Sequence, residues 1–139
     1  MAFKKIVVAG GGVLGSQIAL QTAYWGYDVT IWLRSEGSIG RCQPKLDKFE
    51  QQYLEAIEGM KGAESANDPA WCAGLADFDT FDADECVARA RKAHDDMKLE
   101  LDLAKAVADA DLVIESMAEV ADQKADFFKK VAPLMPEKT

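Results

Sequence analysis

The 139-residue sequence predicts an α/β fold built on a doubly wound parallel sheet, and three observations carry that prediction. A continuous apolar run, Ile6-Val7-Val8-Ala9, opens the chain as a strand buried on both faces does. Gly10-x-Gly12-x-x-Gly15 follows at once and leads into a helical stretch, Val13–Trp25. Strand and helix patterns then alternate toward the end, interrupted once by a helical segment after the second strand.

The first strand, glycine turn and helix form one unit. A dinucleotide-binding turn needs this order: one glycine for the tight turn, one for approach of the backbone to a pyrophosphate, one for close helix–strand packing. The phosphates then meet free N–H groups at the positive end of a helix dipole. Gly10, Gly11, Gly12, Val13, Leu14 and Gly15 are therefore candidate cofactor contacts, against the alternative of a purely structural glycine loop. Along the helix, Leu14, Ile18, Ala19, Thr22 and Trp25 recur at steps of three or four and are the expected packing stripe.

Gly26-Tyr27-Asp28 reads as a turn, and Val29–Leu33, rich in β-branched residues, as the second strand. An Asp or Glu at the end of that strand accepts hydrogen bonds from the adenosine ribose in an NAD site. Leu33 occupies the place and accepts nothing; Arg34 and Ser35 follow. A guanidinium there can fork onto a 2′-phosphate, with the serine as a further donor, which points to NADP. The alternatives for Arg34 are stacking on adenine or facing solvent.

The alternation stops from Glu36 to Asp96. Gln43–Gly59 carries a helical stripe of Leu46, Phe49, Tyr53, Leu54 and Ile57. Asn67-Asp68-Pro69 reads as a helix cap, and Asp82–Asp95 as a second, Asp82-capped helix. The two helices make an inserted hairpin, about residues 41–95. Arg41, Lys45 and Lys48 share a helical face there; they suit a phosphorylated carrier such as coenzyme A, or form a solvated face. The sheet pattern returns with Met97–Leu101 as an edge strand, an Asp102-capped helix, a fourth strand Leu112–Ser116, and a helix Gln123–Pro133. The loop Ser116–Asp122 leaves the carboxyl end of a strand, where open α/β sheets bind ligands.

Composition bounds the rest. One domain with 49% hydrophobic residues can build a packed core, and a net charge of −8 argues against nucleic acid as a partner. No apolar run is long enough to span a membrane, and the start of the chain does not read as a signal peptide. Cys42, Cys72 and Cys86, with one His, make neither a disulfide framework nor a metal site; free thiols in a cytoplasmic protein are expected.

Three features together resemble the N-terminal domain of the L-3-hydroxyacyl-CoA dehydrogenases and their hydroxyacid and lambda-crystallin-like relatives. They are Lys5–Ala19, the hairpin after the second strand, and Asp109-Ala110-Asp111-Leu112-Val113-Ile114-Glu115-Ser116-Met117-Ala118-Glu119. The resemblance covers the whole chain. It implies a Rossmann-type sheet binding NAD(P), an oxidoreductase of fatty acid metabolism, and a 3-hydroxyacyl-CoA or similar beta-hydroxy acid as substrate. It places Glu119 and Lys124, with Ala118 beside them, against the cofactor; the residues themselves read equally as exposed charges at a helix start. Most relatives have an acid where this chain has Leu33. The family's catalytic His, its partner Glu, and an active-site Ser and Asn match positions beyond Thr139, so no catalytic residue is assigned. His94 does not match the motif. Dimerisation through helices is expected only of the family's C-terminal domain. The expected function is the cofactor-binding part of such an oxidoreductase, inactive alone; the alternative is a stand-alone NAD(P)-binding or sensing module.

Overall fold

The computed structural model describes residues 3–117 and 120–139. Four strands, β1 (Lys5–Ala9), β2 (Asp28–Trp32), β3 (Lys98–Glu100) and β4 (Leu112–Glu115), form one parallel sheet in the order β3-β2-β1-β4. Five helices accompany them: α1 (Val13–Tyr24), α2 (Glu36–Met60), α3 (Ala83–Asp95), α4 (Leu103–Val107) and α5 (Ala121–Val131). The chain steps outward from β1 to β3, then returns to the far side of β1 for β4. That reversal puts a topological switch point at the carboxyl ends of β1 and β4.

β1 is central, and its apolar run alternates between two cores as a period of two requires. Ile6 and Val8 pack with Ala19, Val29, Ile31, Leu33, Cys42 and Leu46 on the α1–α2 face. Val7 and Ala9 pack with Val107, Ala110, Phe127 and Val131 on the α4–α5 face. None of the four is more than 3% exposed, and each Val or Ile so buried stabilises the fold by about 1.5–3 kcal/mol. The Asp111 carboxylate accepts from the N–H groups of Lys5 and Lys4, at 2.9 and 2.8 Å, and fixes the start of the strand. Those bonds, with Lys138, hold its pKa well below the usual carboxylate range.

Three expectations are corrected. The face of α1 turned inward is Gly15, Ser16, Ala19, Leu20 and Tyr24, whereas Leu14 and Trp25 are 63% and 46% exposed. Small residues face the sheet because α1 lies too close to β1 for large ones. Secondly, α2 begins at Glu36, not near Gln43. Ser35 caps it, accepting from the Ser38 N–H, and Glu36 adds a favourable charge to the first turn. Pro44 thus sits inside the helix, where it removes one N–H bond and typically costs about 3 kcal/mol. Nearby, the Lys45 ammonium donates to the Arg41 carbonyl at 3.0 Å.

Thirdly, Asn67-Asp68-Pro69 starts no helix. Asp68 accepts from the Ala70 and Glu64 N–H groups and closes a turn. Trp71 then turns inward against Phe78 and Phe81, with ring centres 5.2 and 5.0 Å away, and this aromatic cluster organises the connection. α2 and α3 pack on α1 around Leu20, Tyr24, Phe49, Ile57, Met60 and Ala90. Cys42, Cys72 and Cys86 are free thiols. Among the described residues no helix is long and apolar enough to cross a membrane.

Candidate functional site

Each glycine of the turn answers a different constraint. Gly10 has φ +123°, a conformation L side chains rarely adopt, and a Cβ there would lie 2.6 Å from the Ser116 carbonyl oxygen. At Gly15 a Cβ would run into the Gly10 carbonyl, so this glycine lets α1 close onto β1. At Gly11 it would strike Leu33 and Cys42. Gly12 differs: its backbone is extended and nothing lies within 4 Å of an added Cβ. It is also the N-cap of α1 and provides no side-chain cap, unlike Ser35, Asp82 and Asp102 at their helices. The first N–H groups of α1 therefore face open space.

The turn is held from beneath. Ser16, fully buried, donates its hydroxyl to the Gly11 carbonyl at 3.1 Å and lies 3.6 Å from the Cys42 thiol. Burial pushes the Cys42 pKa up, so the thiol stays neutral beside the turn.

Above the turn lies a cavity of about 300 Å³ at the carboxyl ends of β1, β2 and β4. Gly10, Gly11, Gly12, Trp32, Leu33, Arg34, Ser38, Arg41, Lys45, Ser116, Met117 and Gln123 line it. A second cavity of about 540 Å³ shares Trp32, Arg34, Met117 and Gln123 and continues between α4 and α5. Leu33 is 2% exposed and belongs to the core; its N–H donates to the Glu100 carbonyl. Arg34 is exposed, with a guanidinium nitrogen 3.9 Å from the Met117 sulfur. Ser35 does not line the cavity: its oxygen caps α2 and lies 3.1 Å from the Ser38 hydroxyl, which does. Val13 and Leu14 are exposed at the start of α1, outside the lining.

Ala118 and Glu119 lie outside the described residues. Lys124, on α5, pairs with Glu115 at the end of β4, Nζ to Oε2 2.7 Å. The Glu115 side chain is 10% exposed and also accepts from the Met117 N–H at 2.6 Å. The Lys124 ammonium, aided by that N–H, outweighs burial and holds the Glu115 pKa below its ordinary value.

Sequence reasoning offered Arg41, Lys45 and Lys48 as a phosphate-binding or solvated face without tying them to the glycine turn, and it missed Ser38 and Ser116. Ser38, Arg41 and Lys45 line the cavity on the α2 that Ser35 caps, while Lys48 does not line it. Ser116 presents a buried hydroxyl with no hydrogen-bond partner among the described residues. Only the loop's position at a strand's carboxyl end could have pointed to it. His94 is remote, clamping α3 to α2: Nε2 lies 2.6 Å from Asp47, and Nδ1 lies 2.9 Å from Asp95 and 3.5 Å from Glu50. Another cavity of about 540 Å³, around Trp25 and Arg89, sits at the amino ends of the strands, away from the glycine turn.

The model of the family domain described as 3-hydroxyacyl-CoA dehydrogenase, NAD binding domain, matches residues 5–139. A 3-hydroxybutyryl-CoA dehydrogenase of Clostridioides difficile is 26% identical over 137 residues, 97% of this chain and 38% of that protein. A solved diketoreductase, described as acting on dicarbonyl compounds, is 32% identical with a TM-score of 0.73 over all of this chain and 40% of its own. The 3-hydroxybutyryl-CoA dehydrogenase of Escherichia coli shares the fold, with 22% identity and a TM-score of 0.70 over all of this chain and 24% of its own. The chain thus spans two fifths or less of the length of each of these relatives.

Proposed function

The chain belongs to the 3-hydroxyacyl-CoA dehydrogenase family as its NAD-binding domain, and from that premise we propose that it holds the cofactor of a hydride-transferring oxidoreductase. The substrate class proposed is a 3-hydroxyacyl-CoA or a similar beta-hydroxy acid. We place the protein in the cytoplasm, with homodimerisation left to helices other than these.

The observation that carries the reading is the open cradle over Gly12. A side chain there would meet nothing in the protein, and the N–H groups of the α1 start open on that space, while the Ser116 hydroxyl, buried beside Gly15 and without a hydrogen-bond partner among the described residues, borders the turn. These donors fit a dinucleotide pyrophosphate, which the turn's N–H groups and the helix dipole would hold. Gly10, Gly11, Val13, Leu14 and Gly15 would shape that turn, and Ala118, Glu119 and Lys124 would flank the cofactor. The nicotinamide, when bound, supplies the hydride acceptor or donor. The chain's part is to position it and to keep the β4 loop in place through Glu115 and Lys124. We assign no general base here, because the one histidine is engaged between α2 and α3.

NADP(H) is proposed to bind at least as well as NAD(H). Leu33 lacks the carboxylate that would repel a 2′-phosphate, and Arg34 stands beside it to attract one. A charge-assisted hydrogen bond at so exposed a place contributes about 1–3 kcal/mol, roughly ten- to hundredfold in affinity. Both cofactors are titrated against the wild type and Arg34→Ala at two ionic strengths. The expected result is a selective, salt-sensitive loss of NADP binding; equal losses for the two cofactors would mean that Arg34 only stacks on adenine.

A further inference from the structure

We propose that Arg41 and Lys45 of α2 complete, with Arg34 and Ser38, a subsite for a phosphate monoester on the adenosine ribose, the 2′-phosphate of NADP. The inference rests on the proposed dinucleotide reading and extends its discrimination from one residue to a built cluster.

The register of α2 produces the cluster. Cys42 and Leu46 are 0% and 1% exposed and lock one face of the helix onto the sheet. Ser38, Arg41 and Lys45 follow one another at steps of three and four, so they form a row along the rim of that buried face, over the cavity. Helical side chains lean toward the helix N-terminus. Lys45 does so visibly: its ammonium reaches back to the Arg41 carbonyl at 3.0 Å, toward the glycine turn. The Arg41 guanidinium is oriented by donating to the Ser38 hydroxyl at 3.0 Å, which in turn touches the Ser35 hydroxyl.

Three cations therefore border one cavity in a protein of net charge −8, and among the described residues no carboxylate lines it. Among the described residues none of the three is in an ion pair. A pyrophosphate has the N–H donors of the turn to meet it. The cations lie instead on the β2–α2 side, beside Leu33, where this fold places the adenosine ribose hydroxyls. Arginine forks suit a dianionic phosphate, and a lysine adds a point charge.

Isothermal titration with 5′-AMP, 2′,5′-ADP and 3′,5′-ADP tests the assignment on the wild type, Arg41→Gln and Lys45→Gln. Glutamine keeps reach and hydrogen-bonding capacity, and thermal melts confirm that each variant is folded. The wild type should prefer 2′,5′-ADP over 5′-AMP by at least tenfold. Each variant should lose about five- to twentyfold in 2′,5′-ADP affinity while 5′-AMP binding changes less than twofold. Undiminished 2′,5′-ADP binding in both variants, or equal losses for 5′-AMP, would overturn the subsite and leave the dinucleotide reading standing. A preference for 3′,5′-ADP would overturn it in favour of a coenzyme A-type phosphate. Absence of binding by any of the three nucleotides to the wild type would overturn the dinucleotide reading itself.

Discussion

Replacing Gly12 by valine should remove ligand binding while sparing the fold, whereas replacing Gly15 by alanine should damage the fold itself. At Gly12 the backbone has φ −72° and ψ −170°, which valine adopts freely, and no atom lies within 4 Å of the new Cβ. The folding cost is then that of a poorer helix cap, about 0.5–1 kcal/mol, a melting shift of roughly 2–4 °C for a chain of this size. The binding cost is far larger, because the isopropyl group fills the space where a pyrophosphate meets the turn. Losing two charge-assisted bonds from backbone N–H groups, at about 1.5–3 kcal/mol each, lowers affinity by roughly two to four powers of ten. At Gly15 the new methyl meets the Gly10 carbonyl, with the Ser116 hydroxyl 3.2 Å away, so the turn or α1 must move. Overpacking of that kind costs about 1–3 kcal/mol. Circular dichroism melts and cofactor titration on both variants read the two effects separately. A folded Gly12→Val protein with undiminished cofactor affinity would show that the dinucleotide does not sit on this turn.

Three further outcomes are expected. The His94 imidazolium is opposed by burial, but hydrogen bonds to Asp47 and Asp95 and the nearby Glu50 outweigh that and raise its pKa above the ordinary 6.5. Its contribution to stability is thus complete below pH about 6.5 and lost as pH rises through the folded value, so His94→Gln should lower the melting temperature more at pH 5.5 than at pH 8.5. Equal shifts at both pH values would show that the clamp is not ionic. Glu115→Gln removes the charge that Lys124 pairs with at the β4 end and should cost about 1–2 kcal/mol near neutral pH. Because the Glu115 pKa is depressed, that difference should shrink on acidification; a denaturant series at pH 7 and pH 4 measures it. Finally, these 139 residues alone should oxidise no reduced cofactor in the presence of acetoacetyl-CoA beyond background. Dose-dependent turnover by the purified chain would bring His94 back into consideration.

The part of the molecule most legible in sequence is the part fixed by local chemistry. The run Ile6–Ala9, the glycine spacing and the caps Asp82 and Asp102 each declare an element through a few adjacent residues, and all reappear in the structure. The face of α1 was not legible because that helix is apolar on several sides, and closeness at Gly15, not side-chain size, decides which side is buried. The start of α2 was not legible because the apolar stripe begins only at Leu46, well after Ser35, the residue that caps the helix. Arg41 and Lys45 read as a phosphate-binding or solvated face, but their nearness to the glycine turn depends on Cys42 and Leu46 docking on the sheet. Ser116 carries no sequence signal beyond its place after a strand.

Amide chemical-shift mapping of the isotope-labelled chain during titration with NADP⁺ tests the central claim most directly. The account predicts saturable shifts centred on Gly11–Gly15, on Leu33, Arg34 and Ser38, and on Ser116 and Met117, the residues at and around the cavity at the carboxyl ends of β1, β2 and β4. Shifts confined to Trp25, Arg89 and their neighbours, at the cavity on the opposite ends of the strands, would contradict it.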